Sequence, residues 1–173
     1  MKRALMIIAQ HGYQPKEYSI PKQILENAGI EVITASKNAG TCQAADKKST
    51  AEATLSINDV NVSDYDAIIF IGGPGAVGYQ QDVKAHLTAQ EAINRGKILA
   101  AICIAPTILA YADVLEGKNV TVWNEDGRQA EVMTKNGAKF VDKAIVVDGK
   151  IITANGPNAA EKFGKKILEF IKS

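Results

Sequence analysis

Cys103 stands in the run Lys97-Ile98-Leu99-Ala100-Ala101-Ile102-Cys103-Ile104-Ala105-Pro106-Thr107, where an apolar strand pattern gives way within a few residues to a helix start. A strand-to-helix corner carries its side chain to the carboxyl edge of a sheet and aims the free N–H groups of the new helix at it. A thiol held there sits beside partial positive charge, which favours the nucleophilic thiolate. The same run also suits a core cysteine, since unpaired Cys is among the most buried residue types. This segment by itself leaves both readings open.

Other groups with chemical potential fall at matching places. In an open α/β sheet, ligands bind outside the carboxyl ends of the strands. That rule selects His11, Gly12 and Glu17 after the first strand, Gly72 and Gly73 after the third, and Cys103 after the fourth. If the strands order as 2-1-3-4-5, those three ends are neighbours and converge on one small site. Gly72 and Gly73 lack a Cβ, so their backbone N–H groups can closely approach an oxyanion. The N–H of Ile104 supplies a second donor beside the sulfur. Glu17 is either a solvated carboxylate at a helix start or an acid–base partner. Ionised beside Cys103 it would hold the proton on the thiol by like-charge repulsion. It assists only if protonated, donating to a thiolate, or if it carries a substrate proton.

The elements that must position these groups read as follows. Residues 3–9 form a buried strand rather than a secretion signal, because the apolar run passes straight into Gln10-His11-Gly12-Tyr13. Residues 17–29 form a helix with apolar Ile20, Leu25 and Ala28, ended by Gly29. Strands follow at 31–35 and 66–71, with a polar excursion between them at 40–60 that reads as a short hairpin and a connector. A helix spans 81–95 and the Cys103 strand comes next, with Pro106 in the first turn of another helix. Val120–Trp123 and Ala144–Val147 read as strands, and Asp148-Gly149 joins the latter to Ile151–Thr153 as a hairpin. An amphipathic helix at 158–172 closes the chain, and 123–130 reads as a loop at the pocket mouth. Strands alternating with helices give an α/β fold with a mainly parallel sheet.

The bulk properties narrow the function. The chain has 173 residues, enough for one domain spanning 1–173 without a disulfide or metal to hold it. A net charge of +1 gives no footprint for nucleic acid or an acidic membrane surface, and no apolar run is long enough to span a bilayer. Two cysteines, Cys42 and Cys103, suit a reducing cytoplasm better than a disulfide scaffold. His11 and His86 have no ligand spacing with either, so no metal site is expected. Neither phosphate-binding glycine motif is present, and no nucleotide cofactor is expected.

The order of these pieces resembles the ThiJ/PfpI superfamily along nearly the whole chain. The marks are Glu17 four residues before Pro21, the junction Ala28-Gly29-Ile30-Glu31-Val32, Ile71-Gly72-Gly73, the elbow Ala101–Pro106, and Thr153-Ala154-Asn155-Gly156-Pro157. The resemblance implies a flavodoxin-like three-layer sandwich with helices on both faces of the sheet. It implies that Cys103 is a nucleophile or redox centre bonded to Glu17, with Gly73 and Ile104 N–H groups lining an oxyanion site and Gly156 and Pro157 bordering the pocket. It also implies a homodimer or higher homo-oligomer, with Cys42 in an excursion that approaches the interface in relatives.

Two departures limit the transfer. Peptidases of this superfamily carry His directly after the cysteine, where this chain has Ile104, which cannot take a thiol proton. Other members carry a pocket His about twenty residues on, where Trp123 stands, an indole that donates but is no base. His11 is the remaining candidate histidine for the pocket. The expected function is a cofactor-independent, glyoxalase- or deglycase-like enzyme on small reactive carbonyls. The alternatives are a redox-sensing or chaperone-like stress protein that oxidises Cys103, a cysteine peptidase, which Ile104 disfavours, and a small-amide hydrolase.

Overall fold

The computed structural model describes residues 1–173. The first half runs β1 (Arg3–Ile7), β2 (His11–Tyr13), α1 (Pro15–Asn27), β3 (Glu31–Ser36), β4 (Gly40–Ala44), β5 (Thr50–Ala53), β6 (Leu55–Ser56) and β7 (Ala67–Phe70). The second half runs α2 (Val83–Asn94), β8 (Ile98–Ile102), α3 (Pro106–Tyr111), β9 (Asn119–Val120), α4 (Arg128–Lys135), β10 (Lys139–Phe140), β11 (Ile145–Asp148), β12 (Ile151–Ala154) and α5 (Ala160–Lys172).

β1, β7 and β8 are apolar at almost every position, as strands covered on both faces must be. They pair in parallel, Leu5 beside Ile68 and Ile68 beside Leu99, so side chains sort onto two faces by the period of two. Leu5, Ile68, Phe70 and Leu99 pack under Ala85 and Ala89 of α2 and Ile108 of α3. Ala4, Met6, Ile69 and Ala100 pack on the other face under Leu25 of α1 and Phe163 and Ile167 of α5. The main sheet is ordered β11-β12-β8-β7-β1-β3-β6. Its middle five strands, β3-β1-β7-β8-β12, follow the expected 2-1-3-4-5 order, and only the Asp148-Gly149 hairpin pairs antiparallel. This is the flavodoxin-like sandwich.

Some readings change. Val120–Trp123 is not a core strand: only Asn119–Val120 is a strand, and it pairs in parallel with β10 apart from the main sheet. The chain beyond it is drawn off by other partners, since Thr121 N–H donates to Thr153 Oγ1 and Trp123 N–H to the Cys103 carbonyl. Residues 123–130 are not wholly loop, because α4 begins at Arg128, its first turn held by Asp126 and Asn124 side chains. The polar excursion is indeed a hairpin of β4 and β5, and β2 joins it as a third strand. Cys42 lies in β4, fully buried, and both cysteines are free.

The two helices on one face approach closely at Gly164, where a Cβ would lie 2.8 Å from Pro21 Cα and 3.0 Å from Ile24 Cδ1. Gly164→Ala gains about 1 kcal/mol of helix propensity, but overpacking against backbone costs about 1–3 kcal/mol. The expected result is a net loss of roughly 1 kcal/mol, a fall of about 2–4 °C in Tm by calorimetry. An unchanged or raised Tm would show that α1 and α5 part freely.

Candidate active site

The corner after β8 holds Cys103 at φ +65°, one of only three non-glycine residues with positive φ. That backbone region is sparsely populated by L-residues and persists only where its surroundings enforce it. Here Cys103 N–H donates to the Ala154 carbonyl at 2.9 Å, and the Cys103 carbonyl accepts from Trp123 N–H at 2.8 Å. The turn continues into α3, where Thr107 Oγ1 donates to the Ile104 carbonyl at 2.6 Å and accepts from Gln80 Nε2 at 2.8 Å. Strand β8, the carboxyl end of β12, the segment at Trp123 and α3 thus hold the elbow backbone in place.

Glu17, in the first turn of α1, is completely buried. Its Oε1 accepts the Gly72 N–H at 3.1 Å, and its Oε2 has no partner of full hydrogen-bond geometry. Gly72 is the spacer that brings the carboxyl to the thiol. A Cβ there would meet Glu17 Oε1 at 2.5 Å, Cys103 Cβ at 2.6 Å and the Ile102 carbonyl at 2.7 Å. Gly73 has φ +105°, and a side chain on it would collide with the backbone of Gly12, Tyr13 and Gln14.

Burial pushes the Glu17 carboxyl up to about 7, partly offset by its interactions with Cys103 and the Gly72 N–H. Burial, then the nearby Glu17 charge, pushes the Cys103 thiol up to about 12, while the N–H groups of Gly73 and Ile104 pull it back down. The two groups titrate as a pair, and between these values they hold one proton between them. The amides of Gly73 and Ile104 pull toward a thiolate, but burial and the Glu17 charge outweigh them, so the shared proton rests on sulfur and the charge on Glu17.

Cys103 opens onto a cavity of about 850 Å³ whose lining includes Gly73, Ile104, Trp123, Gly156 and Pro157. Glu17 lies beneath this cavity rather than in its wall. Gly72 does not serve a bound oxygen as expected, because its N–H is spent on Glu17. His11 does not line the cavity. It is exposed on β2, paired with Gln43, and its position is set by the three-stranded hairpin layer. Glu125 lines the cavity from the segment expected at its mouth, whereas sequence reasoning assigned no pocket role to Gln14, Asp142 and Asn155, which also line it. All four come from separate loops, and no local spacing links them. No three His, Cys, Asp or Glu side chains gather anywhere in a metal-binding group, and no helix is long and apolar enough to cross a membrane.

A flavodoxin-like sandwich with a cysteine at the elbow after its fourth central strand, and a buried glutamate under it, defines a recognisable class of α/β protein. The DJ-1/PfpI family profile matches residues 2–170, and the chain belongs to that family. It is 31% identical to protein dj-1beta of Drosophila melanogaster over 98% of this chain and 89% of that one. It is 29% identical to protein/nucleic acid deglycase 2 of Escherichia coli over 99% of each. The structure of a ThiJ/PfpI domain protein from Brachyspira murdochii superposes with a TM-score of 0.92 at 28% identity, covering 98% of this chain and 96% of that one.

Proposed function

We propose that the protein is a cofactor-independent enzyme that converts small 2-oxoaldehydes to 2-hydroxyacids, with Cys103 as nucleophile and Glu17 as proton carrier. The observation that carries this reading is the Glu17–Cys103 pair beneath a cavity, flanked by two amides left free of backbone partners. Cys103 sulfur bonds to the aldehyde carbon, and the shared proton passes to the carbonyl oxygen, held by Gly73 and Ile104 N–H groups. Glu17 then takes the hydrogen on that carbon as a proton and returns it to the adjacent carbon, while the hydroxyl proton passes from the first oxygen to the neighbouring one through an enediol. The aldehyde carbon is thereby oxidised to a thioester and the neighbouring carbonyl reduced to an alcohol. Water cleaves the thioester, releasing the hydroxyacid and the thiol. No outside oxidant or reductant is needed.

A glutamate that titrates near 7 suits this role, since proton carriers work best when poised near the operating pH. The deglycase name carried by the Escherichia coli relative supports carbonyl chemistry of this kind. Peptide hydrolysis fits less well, because Ile104 replaces the base beside the thiol and no histidine lines the cavity. A homo-oligomer accompanies the reading as what the family implies, and a reducing cytoplasm is in keeping with two free cysteines.

The test is methylglyoxal turnover followed by lactate formation, because simple thiol adducts also deplete aldehyde. The expected result is many lactates per protein and none above background for Cys103→Ser. Stoichiometric aldehyde loss without lactate would contradict the enzyme and favour a protein that senses oxidants through Cys103.

A further inference from the structure

A three-carbon aldehyde leaves most of an 850 Å³ cavity unused, since volumes of this order accommodate drug-sized ligands. The rest of the lining has a definite character. It contains two carboxylates, Glu125 and Asp142, and no Lys, Arg or His, although the chain carries 20 Lys and Arg against 19 Asp and Glu. The remaining polar lining groups are neutral amides such as Gln14 and Asn155.

The two carboxylates are also chemically free. Asp126, next to Glu125, accepts the Arg128 N–H at 3.0 Å and pairs with its guanidinium at 3.5 Å, so its charge is spent on starting α4. Asn124 likewise accepts from Ala130 N–H at 2.9 Å. Glu125 and Asp142, both solvent-exposed, line the cavity and take part in none of the ion pairs of the structure. Trp123 adds an indole to the same lining, the aromatic side chain that best attracts a cation over its face.

We propose that the cavity selects carbonyl compounds carrying a cationic group of the ammonium or guanidinium class. The carbonyl sits at Cys103, while Glu125, Asp142 and Trp123 hold the charged end. Anionic carbonyl compounds are turned away by the same two carboxylates. The substrate chemistry rests on the function proposed above, but the charge selection does not depend on turnover.

Two measurements keep these apart. In the first, kcat/KM is compared for arylglyoxals bearing para-trimethylammonium or para-carboxylate groups, with the wild type and with Glu125→Gln/Asp142→Asn. The quaternary ammonium avoids self-condensation, and the variant cancels the intrinsic reactivity difference between the probes. The cationic-to-anionic ratio is expected to be about tenfold higher in wild type, and to shrink as salt is added. In the second, Cys103 is labelled with methanethiosulfonates carrying trimethylammonium or sulfonate groups, and the site is mapped by mass spectrometry. Cys42, fully buried, does not compete. The same wild-type-to-variant change in the labelling ratio is expected. If no arylglyoxal is turned over, the carbonyl chemistry fails and the labelling ratio still decides the charge selection. Equal ratios in wild type and variant would overturn it.

Discussion

Gly72→Ala is expected to lower stability by about 3 kcal/mol and to reduce turnover at least about a hundredfold. The added methyl group would enter a space bounded by Glu17 Oε1 at 2.5 Å, Cys103 Cβ at 2.6 Å and the Ile102 carbonyl at 2.7 Å. Glu17 and Ile102 are fully buried, and two of the three contacts belong to the strained elbow, so no flexible tip can swing aside. Relief requires moving the carboxyl or the thiol, which breaks the pair that the proposed reaction uses. The stability loss corresponds to a Tm lower by roughly 6–12 °C. Gly78→Ala provides the control, because a Cβ there meets nothing within 4 Å and the backbone is not left-handed. Equal Tm and equal activity for Gly72→Ala and wild type would show that the elbow is soft.

Glu17→Gln is expected to lower turnover by about 10²–10⁴-fold while making the protein more stable above pH 7. The amide keeps an oxygen for the Gly72 N–H but cannot carry a proton. In the folded wild type the carboxyl titrates near 7, above its ordinary 4.5. Between those values the native state keeps a proton that the unfolded chain has released. Stability is therefore complete below about 4.5 and falls as pH rises through 7, by roughly 3 kcal/mol for a shift of this size. The glutamine variant has no such loss. Urea unfolding at pH 5 and pH 8 should show the variant pulling ahead of wild type at the higher pH. The kcat/KM of wild type should rise through pH 7, as the pair loses its first proton. A flat rate profile from pH 5.5 to 8.5, or a variant less stable at pH 8, would remove Glu17 from the proposed role.

Much of the fold was legible in the sequence because its signals are local. β1, β7 and β8 are continuous apolar runs bounded by Gly, Pro or polar residues, and Asp148-Gly149 marks its hairpin directly. Glu17, Gly73, Cys103 and Ile104 were legible for a different reason: the carboxyl ends of neighbouring parallel strands must meet, whatever the loops do. What was lost depends on side-chain partners. The run Val120–Trp123 has strand composition, yet Thr121 and Trp123 donate their N–H groups to Thr153 and Cys103 rather than to a neighbouring strand. α4 was hidden because its start is set by Asp126 and Asn124 side chains within a polar stretch with little apolar pattern. His11 is a lone residue in a polar stretch, and only the pairing of β2 with β4 puts it on an exposed strand. Glu125 and Asp142 stand seventeen positions apart and share a cavity only through the folding of α4 and β10 between them.

The most direct test of the proposed chemistry is a carbon-13 NMR time course with methylglyoxal labelled at the aldehyde carbon. The labelled carbon should first move to a hemithioacetal on Cys103 and then to the carboxylate of free lactate, in many equivalents per protein. Cys103→Ser should give neither signal, and Glu17→Gln should hold the first without reaching the second. Label that remains as hydrated aldehyde, or that settles on lysine and arginine side chains at no more than stoichiometric amounts, would contradict Cys103 as the nucleophile of a carbonyl enzyme.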